Sequence, residues 1–304
     1  MPIKPPSQAT SIATNDTKKN GRRIDFHLSE PVYSKKDLIL DELVKLELDK
    51  AINFKRYHDD VFMNWGLSET FKNNKKVIIN LYGAPGTGKT MAAHAIASEL
   101  EKKILHINYA DIESKYVGET PKNIQDAFYF AHENDAVIFF DEADAILSRR
   151  VTNMSNATDT SVNQTRSVLL NILNSYDKTV IFATNFIENY DPAFIRRILI
   201  SINFTLPNEE TIREIFKKYI PKKLPNNINI ELVSSNSIGL SPSEIANSIL
   251  LSSFSAKTKG LNLVTTDEVI TSINSIKDAK NKNNKKEKLF SIKDIEVENK
   301  RNLE

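Results

Sequence analysis

The order of apolar runs along the chain predicts an α/β fold, in which a parallel sheet carries helices on both faces and a small all-helical domain follows it. Five runs, Val77–Tyr82, Ile104–Tyr109, Val137–Phe140, Val180–Ala183 and Ile200–Phe204, are short and continuous, the pattern of strands buried on both faces. Helical stretches over Thr90–Lys102, Pro121–Glu133 and about Ser161–Tyr176 separate them, and strands that alternate with helices imply parallel pairing. After Pro207 the strand signal ends. Glu209–Tyr219, Ile230–Ser235, Pro242–Phe254 and Thr266–Ile276 then read as helices of the second, smaller domain.

The flanks are simpler. Residues 1–30 are rich in Pro, Ser, Thr, Lys and Asn with little to bury, so they read as disordered or loosely attached. From Asp37 a helical pattern begins, with Leu38, Leu43, Leu46, Ala51, Ile52 and Phe54 at three- and four-residue steps. Six lysines between Lys277 and Lys288 mark a solvated linker. The domain reading is therefore a disordered segment at 1–30, an α/β domain at 31–206, a helical domain at 207–276 and a charged linker and tail at 277–304.

Composition excludes more than it identifies. The 304 residues are 40% hydrophobic and 26% charged, with a net charge of +2, so nothing in the balance calls for nucleic acid or a membrane surface. The absence of cysteine rules out disulfides, thiolate metal sites and a cysteine nucleophile. The N-terminus has no signal-type apolar region, and no run approaches the roughly 18 apolar residues of a membrane span. The expectation is a soluble cytoplasmic protein.

The chemistry concentrates after the first strand. Gly83-Ala84-Pro85-Gly86-Thr87-Gly88-Lys89-Thr90 fits G-x-x-x-x-G-K-[ST] without a gap. Glycines let backbone N–H groups turn inward around a phosphate, and the following helix, through Met91, points its positive end at it. Lys89 is expected to reach the β- and γ-phosphates, and Thr90 to place its hydroxyl on Mg²⁺. The expected cofactors are ATP and Mg²⁺. Three of the chain's eight glycines fall between 83 and 88, which makes a chance match less plausible.

The third strand ends in two adjacent acids, Asp141 and Glu142, costly in a buried strand unless a cation or catalysis needs them. Asp141 is expected to hold Mg²⁺ through water, and Glu142 to act as the general base that activates the attacking water. Asp141-Glu142-Ala143-Asp144 also spells an RNA-helicase signature. That reading fails, because such helicases need two sheet domains and only a helical domain follows here.

Three more segments complete a pattern: Lys115-Tyr116-Val117-Gly118-Glu119-Thr120, Ala183-Thr184-Asn185, and Asp191-Pro192-Ala193-Phe194-Ile195-Arg196-Arg197. With them, the stretch from about Asp37 to Ile276 resembles the AAA clade of the AAA+ ATPases, and within it stand-alone bacterial members with a single ATPase module. The resemblance implies a five-stranded parallel sheet with a C-terminal helical lid. It makes Tyr116 and Val117 a substrate pore loop, Asn185 the residue that orients the lytic water, and Arg196 and Arg197 arginine fingers. Two departures stand out. Ile198-Leu199-Ile200 replaces the Gly-Arg-Phe-Asp that many relatives carry, and the lid turn Gly239-Leu240-Ser241-Pro242-Ser243-Glu244-Ile245 lacks the arginine usual in clamp loaders and replication initiators.

An arginine finger works only beside a neighbour's γ-phosphate, so the resemblance implies a homo-oligomeric ring, expected to be a hexamer. The implied function is Mg²⁺-dependent ATP hydrolysis coupled to unfolding, threading or disassembly of a protein substrate. Two alternatives stand beside it: an ATP-gated assembly factor for a complex or phage-tail-like particle, and a nucleic-acid motor or loader, favoured only by the lysine stretch.

Overall fold

Strands that are apolar throughout can be buried only between two layers, and that is how this chain folds. The computed structural model describes residues 25–71, 76–108, 119–148 and 157–282. All five expected strands are present: β1 (Val77–Gly83), β2 (Ile104–Asn108), β3 (Val137–Asp141), β4 (Thr179–Thr184) and β5 (Ile200–Phe204). They pair in parallel in the order β2-β3-β4-β1-β5.

Alternate strand residues serve opposite layers. Val77, Ile79, Leu81, Phe139 and Ile181 face α1 (Glu42–Arg56) and α2 (Lys89–Glu99). Ile78, Ile138, Phe140, Val180 and Phe182 face α3 (Glu119–Glu133), the short α4 (Asp144–Leu147) and α5 (Ala157–Ser175). A further short helix, α6 (Pro192–Ile195), leads into β5; its Asp191 cap accepts from Ala193 N–H at 2.8 Å.

The small domain has its own core, built by α7 (Glu209–Tyr219), α8 (Ile230–Asn236), α9 (Pro242–Thr258) and α10 over 266–282 around Ile212, Phe216, Val233, Leu240, Ile245 and Ile273. The start of α9 is set by a reciprocal cap: Glu244 Oε2 accepts from Ser241 N–H at 2.7 Å, and Ser241 Oγ accepts from Glu244 N–H at 3.4 Å. Proline follows at the first helical position, where a missing N–H costs nothing.

Three expectations need correction. Residues 25–30 are not loose: Ser29 and Ile104 exchange N–H···O bonds at 3.0 Å, and Phe26 and Leu28 pack on the core beside α3. In α1 the buried stripe is Val44, Leu48, Ala51 and Ile52, whereas Leu43 and Leu46 are 78% and 51% exposed. Two apolar stripes interleave there, and spacing alone does not say which one meets the sheet. Finally, α10 runs past 276, because the Lys280 ammonium donates to Gly239 O at 3.1 Å and pairs with Glu244 at 3.0 Å.

One polar contact sits deep in this apolar frame. Asn80, in the middle of β1, is fully buried, and its Oδ1 accepts from Tyr190 Oη at 3.2 Å. Burial pushes the Tyr190 phenol well above its ordinary pKa, so it stays a donor across the physiological range. Tyr190→Phe should destabilise the protein by about 1–3 kcal/mol, the cost of a buried acceptor left unpaired, as read from urea denaturation.

Candidate nucleotide-binding site

At the end of β1 the chain must leave the sheet while β5 still runs alongside. Gly83 pairs with Phe204, and a Cβ on Gly83 would lie 2.2 Å from the Phe204 carbonyl oxygen. Its φ of 136° adds a second reason for glycine. Gly86 and Gly88 take φ values of 74° and 101°, so the segment through Ala84 and Pro85 curls back over the strand end and enters α2. Thr87 Oγ1 donates to Ala84 O at 2.8 Å and braces the turn.

Lys89 is buried inside this loop, only 8% exposed, and its Nζ donates to Gly83 O at 2.8 Å and Ala84 O at 2.9 Å. Burial lowers its pKa, and the Asp141 carboxylate opposes that shift. Thr90 Oγ1 donates to Asp141 Oδ2 at 3.0 Å, while Glu142 N–H donates to Asp141 Oδ1 at 3.0 Å. Asp141, one of the two acids expected at the end of β3, is therefore at the phosphate loop, and Glu142 follows it directly. Glu142 is exposed and sits at a φ of 51°, a conformation that costs a non-glycine residue about 1–3 kcal/mol. The next residue anchors it, since Ala143 N–H donates to Ala183 O at 2.8 Å.

Sequence neighbours are not sheet neighbours here. β4 lies between β1 and β3, so Asn185, half-buried just past its end, emerges between the phosphate loop and Glu142. Thr184 Oγ1 fixes this exit by donating to Asp144 Oδ1 at 2.9 Å and accepting from Phe186 N–H at 2.9 Å.

The arginines are elsewhere. Leu199 N–H donates to Ile78 O at 2.9 Å, which sets the residues just before it near the start of β1. Five strand steps, about 16 Å, separate that point from Gly83. The two side chains also differ. Arg197 donates to Ala193 O at 2.7 Å and Asn174 Oδ1 at 2.9 Å, whereas Arg196 is exposed with no partner among the described residues. Tyr116 and Val117 lie outside the described residues.

Sequence reasoning missed three parts of the site. Residues 37–40 wall a cleft with Thr87, Gly88, Met91, Tyr219 and Pro242; the apolar pattern there signalled only a helix. Asp41, at the start of α1, accepts from Asn208 N–H at 3.3 Å and from Thr211 Oγ1, tying α1 to α7. His106 on β2 brings Nε2 to 3.7 Å from Asp141 Oδ2, although no histidine spacing suggested a role.

The small domain closes the site from above. Ser243 N–H donates to Gly86 O at 3.2 Å, and a Cβ on Gly86 would meet Ser243 Oγ at 2.1 Å. A glycine loop at a parallel strand's end, a buried lysine within it and a hydroxyl–carboxylate pair beside it define a P-loop nucleotide-binding domain. Residues 79–206 match the family model described as ATPase family associated with various cellular activities (AAA), so this stretch is similar to an ATPase domain of that family.

The relatives agree on the family. The chain is 35% identical over 214 residues to the 26S proteasome regulatory subunit 8 homolog of Encephalitozoon cuniculi, covering 68% of this chain and 53% of the relative. It is 32% identical over 251 residues to the proteasome-activating nucleotidase of Saccharolobus solfataricus, covering 80% and 62%. A probable 26S proteasome regulatory subunit 4 of Caenorhabditis elegans is 35% identical over 200 residues, covering 63% and 43%. The chain thus spans 43% to 62% of the length of these relatives. Among the described residues no helix is long and apolar enough to cross a membrane.

The geometry ranks two of the glycines. Without nucleotide, Gly88→Ala should cost about 1–3 kcal/mol for its backbone alone, since nothing lies within 4 Å of the added Cβ. Gly83→Ala should cost roughly 1–3 kcal/mol more, because it also forces β5 away. Denaturant titration of both variants checks the order.

Proposed function

We propose that this chain hydrolyses Mg²⁺-ATP in a homo-oligomeric ring, a hexamer, and couples the hydrolysis to unfolding, threading or disassembly of a protein substrate. The observation that carries the reading is the placement of Arg196: exposed, and near the end of β1 opposite its own phosphate loop. An arginine there can stabilise transition-state charge only at another subunit's site. The proteasomal relatives, one of them named a proteasome-activating nucleotidase, support a protein substrate. The chain's single P-loop is what supports likening it to single-module, stand-alone bacterial members; the relatives compared are proteasomal. That likeness, a cytoplasmic location and the division into domains at 31–206 and 207–276 belong to the same proposal.

The donor set fits the cofactors. Among the described residues no three-residue His/Cys/Asp/Glu cluster could hold a metal alone, but a hydroxyl and a carboxylate suit Mg²⁺, which keeps several waters and shares a nucleotide's phosphates. Bound Mg²⁺-ATP supplies the phosphoryl group and the charge that offsets its oxygens. Lys89 would exchange its two backbone carbonyls for phosphate oxygens, and the loop N–H groups from Gly83 to Thr90 would hold the rest. Thr90 and Asp141 would position the ion, Asp141 through water. Glu142 would take the proton from the attacking water, with Asn185 orienting that water. The cleft beside residues 37–40 and Met91 has the apolar lining a nucleobase needs.

Arg196 and Arg197 were both expected to act as fingers; the contacts favour Arg196 alone, with Arg197 holding the α6 turn to α5. Arg196→Ala should lower turnover by about 10³-fold while leaving ATP binding intact. Mixing Arg196→Ala subunits with Lys89→Ala subunits should restore partial activity, because some interfaces then pair an intact pocket with an intact arginine. No recovery in proven mixed rings would assign the arginine a role within its own subunit.

The substrate claim has its own test. Glu142→Gln should bind ATP yet lose about 10²-fold or more in kcat, so it should trap the engaged partner for identification. Tyr116→Ala should keep ATP affinity and basal hydrolysis but lose protein remodelling, since an aromatic ring grips any polypeptide through apolar contact. Remodelling that survives in a folded Tyr116→Ala ring would favour an ATP-gated assembly factor.

A further inference from the structure

β2 lies at the sheet edge beside the acidic strand, and its third residue is a histidine. His106 pairs in register with Phe139, and its imidazole stacks on that ring with centroids 4.8 Å apart and planes 28° apart. The stack holds the ring so that Nε2 sits 3.7 Å from Asp141 Oδ2, the same oxygen that accepts from Thr90 Oγ1 at 3.0 Å. His106 therefore brings one imidazole nitrogen up to the oxygen donors of the proposed ion site.

That mixture has a chemical consequence. Mg²⁺ takes oxygen donors almost exclusively, whereas imidazole favours first-row transition ions such as Mn²⁺ and Co²⁺. Asp141 would reach the ion through water, and the 3.7 Å from its Oδ2 to Nε2 puts the imidazole within reach of the same hydration shell. We infer that His106 sets the ion preference of the nucleotide site, shifting it toward Mn²⁺ by displacing one bound water and offering Nε2 to the ion. Loss of a supporting group at a metal site costs about 10-fold or more in affinity, and loss of a donor nitrogen should cost Mn²⁺ at least that much. The inference rests on the Thr90–Asp141 metal site proposed above. The competing account is that His106 merely covers Phe139 at the sheet edge, and it makes Mn²⁺ and Mg²⁺ respond alike.

The experiment uses the full chain with ADP, with Mn²⁺ binding read by electron paramagnetic resonance and Mg²⁺ binding read by competition against it. His106→Phe keeps an aromatic ring on Phe139 and removes the nitrogen; His106→Gln removes the ring and keeps polarity, and serves if the first variant does not fold. The expected result is a loss of about 10-fold in Mn²⁺ affinity with Mg²⁺ affinity changed less than about twofold, so the ion preference collapses. Equal losses for both ions, or no loss for Mn²⁺, would overturn the role of His106 while leaving the metal site standing. Nucleotide binding that ignores every divalent ion, in native protein and variants alike, would overturn the metal site and this inference together.

Discussion

The hydrogen bond from Thr90 to Asp141 joins the first turn of α2 to the end of β3, and most of the site depends on it. The strand that leads into α2, β1, is not adjacent to β3. β4 lies between β1 and β3, so the bond spans an interposed strand and holds the phosphate loop against the acidic edge. Around it Lys89 is drawn inward, Gly83 turns against Phe204, and Asp141 has both oxygens engaged, one by Thr90 and one by the Glu142 N–H. The strained backbone at Glu142 follows from the same demand. A carboxylate that must be exposed beside a buried strand end needs an abrupt turn, and the Ala143–Ala183 bond holds it there.

Much of the fold was legible because buried parallel strands leave a simple trace. The five apolar runs match the observed strands to within a residue at each end, and α7 matches in full. The phosphate loop was equally plain, since glycine and lysine have few other reasons to stand at that spacing after a strand. What stayed hidden was set by distant contacts. Leu43 and Leu46 have the period of a buried stripe and face outward, because the sheet selects one of two possible faces. Phe26 and Leu28 lie in a polar stretch, and the edge of β2 together with α3 gives them something to cover.

Individual roles were legible to different degrees. Two adjacent arginines look equivalent in sequence, yet one is held by Ala193 and Asn174 and the other is not. The distinction arises in three dimensions, from a helix carbonyl and an asparagine more than twenty residues upstream. His106 was invisible for the same reason: its proximity to Asp141 comes from strand register between β2 and β3, and no local spacing encodes register.

The contact between Ser243 and Gly86 places the root of a long rod on the phosphate loop. α9 has 17 residues, about 26 Å of stiff helix, and its N-terminal turn is braced on the phosphate loop. Phe254, exposed with Leu250 and Leu251 on the distal half, stands about 18 Å along that rod from Pro242. A tilt of about 10° at the root would sweep Phe254 through about 3 Å, the width of a side-chain contact. The same displacement at the loop would be a few tenths of an ångström. A small tilt at the serine turn would thus be felt least at the phosphate loop and most at the apolar patch near the helix's far end.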